Sequence, residues 1–151
     1  MVTETEGITR LRTNTKDQNR TKVNALVKIL EKYHHENMTW LRSIDFFKQE
    51  NSFLKNRLAE VVDGTTDRGF LAQAEHFQNQ FIIKDEFLDE LRHDVNEQER
   101  DLTHRFRHHS FSPDISMRDR QQQLRIQMQY LEKEFTNLRY EFNNYLATTL
   151  Q

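Results

Sequence analysis

The residues of this chain best equipped for chemistry are histidines and carboxylates. His104, His108 and His109 lie close together near the start of the last third of the sequence. His104 and His108 are four apart, which puts two imidazoles on one helical face, a spacing that can chelate zinc or nickel. The simpler role for such a cluster is positive charge at a helix C-terminus followed by a polar loop. Two Glu-x-x-His pairs, Glu31 with His34 and Glu90 with His93, have the spacing used by di-iron bundles, where the pairs face inward and four helices contribute. Here Leu30, Tyr33, Leu88 and Leu91 hold the inward positions. That turns Glu31, Glu90 and His93 to solvent and leaves His34 on a flank. No Ser-His-Asp spacing or glycine-rich phosphate loop is present. With no cysteine, thiolate chemistry, disulfides and cysteine metal sites are excluded. The chain is expected to be no enzyme and to need no cofactor. Metal or small-ligand binding, through His104, His108 and His109 or through polar residues inside the fold, is the alternative.

A second set of residues is apolar and stands beside the expected core. Phe46 and Phe53 are seven apart on the first helix, and Ile82, Ile83 and Phe87 lie at a similar height on the second. Leu41 occupies the opposite flank of the first helix, and Ile126, Tyr130 and Tyr140 mark the back of the third. One reading is a core face three residues wide per heptad, as three-helix bundles need. The other is a docking patch for a protein or a second copy of the chain, centred on Phe46, Phe53, Ile83 and Phe87.

The elements that must carry these residues are set by helix punctuation. Glycine occurs only at Gly7, Gly64 and Gly69, and proline only at Pro113. The spacing predicts helices over about 21–62, 68–107 and 113–149. Gly64 is expected in the left-handed conformation past the first helix, and Thr66 or Asp67 as the cap of the second. Ser112 before Pro113 predicts the cap of the third, with Asp114 near its positive end. Residues 1–20, rich in Thr, Glu and Asn, are expected to be a flexible tail, with residues 21–151 forming one domain.

All three stretches repeat apolar residues with alternating steps of three and four. The first runs Val23, Leu26, Leu30, Tyr33, Asn37, Trp40, Ile44, Phe47, Asn51, Leu54, Leu58, Val61. The second begins at Phe70 and Ala74 and ends at Gln98 and Leu102. The third runs from Met117 and Gln121 to Phe142 and Tyr145. A heptad held this long is the mark of supercoiled packing. Short connections make neighbours antiparallel, so the fold expected is all-α: an elongated up-down-up three-helix bundle with coiled-coil-like packing. Asn37, Asn51, Lys84, Gln98 and Gln121 interrupt the seam. Buried polar residues of this kind penalise slipped alignments; together they could also line a polar chamber. Flanking charges fit either bundle hand. One hand pairs His34 with Glu99, Lys48 with Asp85, Glu36 with Arg125 and Glu50 with Arg139. The other pairs Asp85 with Arg139, Arg92 with Glu132, Glu99 with Arg125 and Lys48 with Glu134.

Composition agrees with a narrow bundle. Only 35% of residues are hydrophobic and 30% are charged, yet 11 are Phe, whose large area lets a thin core suffice. A net charge of −2 with both signs interspersed predicts no nucleic-acid and no membrane partner. No run is long enough for a signal peptide or a membrane span, so a cytoplasmic location is expected. The segment Ala74-Glu-His-Phe-Gln-Asn-Gln-Phe81, continuing to Asp89-Glu-Leu-Arg-His-Asp94, resembles a stretch of small all-helical bacterial proteins of no known activity. The resemblance spans His34 to Glu99 and implies a bacterial cytosolic protein, with no ligand residues to transfer. The functional expectation is a non-enzymatic interaction or scaffold protein.

Overall fold

The computed structural model describes residues 2–149, with side chains from Thr15 to Thr148. It contains three helices: α1 Val2–Asp63, α2 Arg68–Arg107 and α3 Ile115–Thr149. Their direction follows from which residues meet. Lys55 pairs with Asp85 and His34 with Glu99, so α2 descends as α1 climbs. Glu36 meets Arg125 and Glu50 meets Arg139, so α3 climbs beside α1. This is an up-down-up bundle. α1 packs most extensively on α2 and least on α3.

The seam residues form the core, in three clusters stacked along the rod. Phe77, Phe81, Phe135 and Phe142 fill the end near the α1–α2 connection with Leu54, Leu58 and Leu138. Ile44, Leu88, Leu91, Val95 and Leu131 fill the middle. Leu30, Leu102 and Met117 close the far end, covered by Tyr33, Phe106 and Phe111. Phe81 and Phe142 meet edge to face at 5.2 Å and Phe70 stacks on Tyr145 at 4.6 Å, so aromatic area makes up for the low apolar content.

Two helix ends differ from the sequence expectation. α1 is helical from Val2, through the residues 1–20 expected as a flexible tail. The segment has no proline, only Gly7 as a breaker, and good helix formers at Arg10, Arg12, Lys16, Gln18 and Arg20. Continued backwards, the seam becomes Asn19, Lys16 and Arg12, with nothing apolar to bury. Side chains from Thr15 to Ala25 are accordingly exposed, Val23 among them. α3 begins at Ile115, and its cap is Asp114 instead of Ser112. Asp114 Oδ1 accepts the Met117 N–H at 2.8 Å. Arg105 decides this by donating to both Ser112 O at 2.9 Å and Asp114 Oδ2 at 2.8 Å.

At the α1–α2 connection Asp67 caps α2 as expected, its Oδ1 accepting from Gly69 N and Phe70 N. Gly64 is not left-handed. α1 instead winds out through tight turns, Gly64 N to Val61 O and Thr65 N to Val62 O, both 3.3 Å. Among the described residues the left-handed conformation belongs to His109, φ 53°. There Ser110 N bonds Arg105 O at 2.9 Å and His109 N bonds Phe106 O at 3.3 Å, a Schellman end usually built on glycine.

Candidate functional site

All five polar seam residues are buried, and four of them join in hydrogen bonding across helices. Near the far end the amides of three helices form a directional chain. Gln98 donates to Gln121 Oε1 at 3.1 Å and to Met117 O at 3.0 Å. Gln121 donates to Asn37 Oδ1 at 3.1 Å. Asn37 donates to Glu99 Oε2 at 2.8 Å, and the other Glu99 oxygen faces the His34 imidazole. The chain starts inside the rod and ends on a carboxylate at its flank. Two heptads along, Asn51 donates to Phe81 O at 2.9 Å and Asp85 Oδ1 at 2.8 Å, and Asp85 also meets Lys55. Glu50 Oε2, Asn51 Oδ1 and Gln98 Oε1 are buried without a protein partner. Lys84 buries its stem and turns its ammonium to Glu134, 3.9 Å away.

The flanking charges select one bundle hand. Arg125 grips Glu36 with two bonds, 2.8 and 2.7 Å, and Arg139 holds Glu50 at 2.6 Å. The Glu36 carboxylate holds the Arg125 guanidinium above its ordinary pKa, against partial desolvation. His34 pairs with Glu99 as that hand requires. Lys48 departs from it by one turn: it reaches Asp89, while Asp85 is taken by Lys55, and Asp45 pairs with Arg92. The contacts of the opposite hand, Asp85 with Arg139 and Glu99 with Arg125, are not made.

The four residues expected to form one docking patch separate onto two sides of α3. Phe46 and Phe53 are 58% and 63% exposed. They flank Glu50 at spacings of four and three, so they share the face of α1 that Glu50 turns to Arg139 of α3. Ile83 is 50% exposed, and Phe87, one turn on, is half-buried against Tyr130 of α3, ring centroids 6.1 Å apart. α3 therefore lies between the two pairs. Leu41 packs on the middle cluster, while Ile126 and Tyr140 are exposed.

The histidines also separate. His104 and His108 bring their rings to 4.3 Å, but His109 follows its left-handed backbone to Phe111, 5.8 Å between rings. Among the described residues no three His, Asp or Glu side chains converge to hold a metal ion. Glu31, Glu90 and His93 are exposed. A groove of about 670 Å³ between α1 and α2, walled by Leu58, Ala59, Val62, Leu71 and Ile82, escaped the sequence reasoning. Its signal was there in the small residues Ala59 and Ala74, which line it where larger side chains would fill it.

Fold and site define an all-α three-helix bundle whose core holds buried polar layers and whose outer faces carry exposed aromatics. Compared with protein families, curated proteins and solved structures, the chain matches none. Among the described residues no helix is long and apolar enough to cross a membrane.

Proposed function

We propose that this protein is a non-enzymatic scaffold that offers one face of a rigid helix to a protein partner. The observation that carries this is the pair Phe46 and Phe53, more than half exposed and one heptad apart on a stretch of α1 whose seam residues pack in the core. Neither is needed by the core, since Ile44, Phe47, Asn51 and Leu54 already occupy the seam beside them. Two exposed phenylalanines held on a fixed helix lose little conformational freedom on contact and bury much area, the property that makes aromatics interface anchors. Glu50 between them is held by Arg139, so the surface is set before a partner arrives.

The test is the double variant Phe46→Ser/Phe53→Ser in full-length chain. Its urea midpoint should stay near that of the parent, because little buried area is lost. Capture of the partner that co-purifies with the parent chain should disappear. A large loss of stability would make both residues core. Unchanged capture would move the docking face elsewhere, first to Ile83 and Phe87 beside Tyr130.

A further inference from the structure

We propose that the N-terminal arm of α1 binds the phosphate backbone of double-stranded DNA. The whole-chain charge of −2, from which no nucleic-acid partner was expected, is an average over two unlike parts. From residue 1 to 30 there are six Lys and Arg against three acidic residues, Glu4, Glu6 and Asp17; from residue 31 on there are 16 against 21. The fold keeps these parts apart. The acidic portion is the bundle, whereas most of the cationic portion is a single helix with side chains exposed from Thr15 to Ala25, which joins the core at Leu30. Lys16, Arg20, Lys22 and Lys28 are exposed, and no described ion pair engages them. The helical register puts Lys16, Arg20 and Lys28 along one side of α1, at multiples of four. Gln18, Asn19, Thr21 and Asn24 stand among them, and such side chains also bond phosphates.

Composition and geometry choose among the polyanions. A membrane surface needs a broad apolar helix face, and between Gly7 and Val23 the arm has only Ile8 and Leu11. Single-stranded nucleic acid is held by stacking on aromatics, and the first aromatic residue is Tyr33. The deep, narrow major groove of duplex RNA does not admit side chains, whereas the major groove of B-form DNA, about 12 Å wide, admits a helix. A second copy could offer the exposed carboxylates Glu86, Glu90 and Asp94 of α2. Exposed carboxylate pairs are worth only about 0–1 kcal/mol each, and the arm has little apolar surface to add. Phosphates release condensed counterions, which favours DNA as the occupant. The acidic bundle repels the duplex, so DNA lies along the arm and away from the rod.

The experiment titrates the full chain into a fluorescein-labelled B-form duplex of arbitrary sequence and reads anisotropy. Three phosphate contacts predict a salt slope of about −2.7, hence roughly 40-fold weaker binding at about 200 mM than at about 50 mM salt. Lys16→Glu/Arg20→Glu should remove most of the binding and cut the slope to about −0.9. Lys133→Glu, an exposed reversal on the bundle, should leave binding intact. Circular dichroism melts of both variants should match the parent, which separates loss of contact from loss of fold. No binding at low salt would overturn the proposal, as would equal binding by the arm variant or preference for the single strand. Salt-sensitive self-association without DNA, abolished by the arm variant, would assign the arm to the acidic face of α2 in a second copy.

Discussion

Asn37 is the joint of the buried amide chain, and replacing it tests whether the chain acts as a unit. In Asn37→Leu two hydrogen bonds disappear. Gln121 Nε2 loses its acceptor at 3.1 Å inside a fully buried layer, and Glu99 Oε2 loses its donor at 2.8 Å. Glu99 stands at the flank with His34 still beside it, so water can replace the lost bond. Gln121 has no such recourse. A stranded buried amide costs about 1–3 kcal/mol, while the larger apolar area of leucine returns about 1 kcal/mol. The expected net change is a destabilisation of about 0–2 kcal/mol in urea unfolding followed by circular dichroism. The triple variant Asn37→Leu/Gln98→Leu/Gln121→Leu strands no amide and should be at least as stable as the parent, because removing a whole buried polar set costs less than breaking it. A triple variant no more stable than the single would refute the coupling.

Three further outcomes follow from the helix ends. The Met117 N–H bond, then Arg105, hold the Asp114 carboxyl below its ordinary value. Its contribution is present above the unfolded pKa of about 3.8 and is lost as pH falls through the lower folded value. Asp114→Asn should therefore melt below the parent at neutral pH, and the gap should close in strong acid. Burial, then the charge of Asp67, raises the Tyr145 hydroxyl above 10.0, and that hydroxyl donates to Phe70 O at 2.8 Å. Stability should fall as pH rises past about 10, since the unfolded chain ionises first; Tyr145→Phe should flatten that alkaline limb of a melting profile. His109→Gly relieves a left-handed non-glycine residue and should raise stability by about 1 kcal/mol in urea unfolding.

The fold was legible because the seam is nearly unbroken. Leu30, Ile44, Leu88, Leu131 and Phe142 are buried as their spacing demands, and so are the polar interruptions Asn37 and Gln121. Period and punctuation are local properties that survive without tertiary knowledge. What failed depends on neighbours in other elements. Ser112 lost the cap to Asp114 because Arg105, a residue of α2, fixes the loop. The bundle hand was open until Arg125 of α3 took Glu36 and Arg139 took Glu50. Phe46 and Ile83 looked adjacent by height, but height along a rod does not tell on which side of α3 a residue lies. The arm was misjudged for another reason: absence of an apolar stripe says that nothing packs there, and says less about whether the backbone coils.

Three antiparallel helices send the start of the first and the end of the last to opposite poles. Tyr145 and Leu146, near the end of α3, stand by the α1–α2 connection, while the arm of α1 leaves from the pole where α2 turns into α3. At about 1.5 Å per residue, the stretch of α1 from Leu26 to Asp63 alone spans about 55 Å. Anything fused behind α3 and anything gripped by the arm are thereby kept at a set separation along one axis. The molecule is then a spacer as much as a platform, and adding or deleting whole heptads in all three helices would change that separation by about 10 Å per heptad.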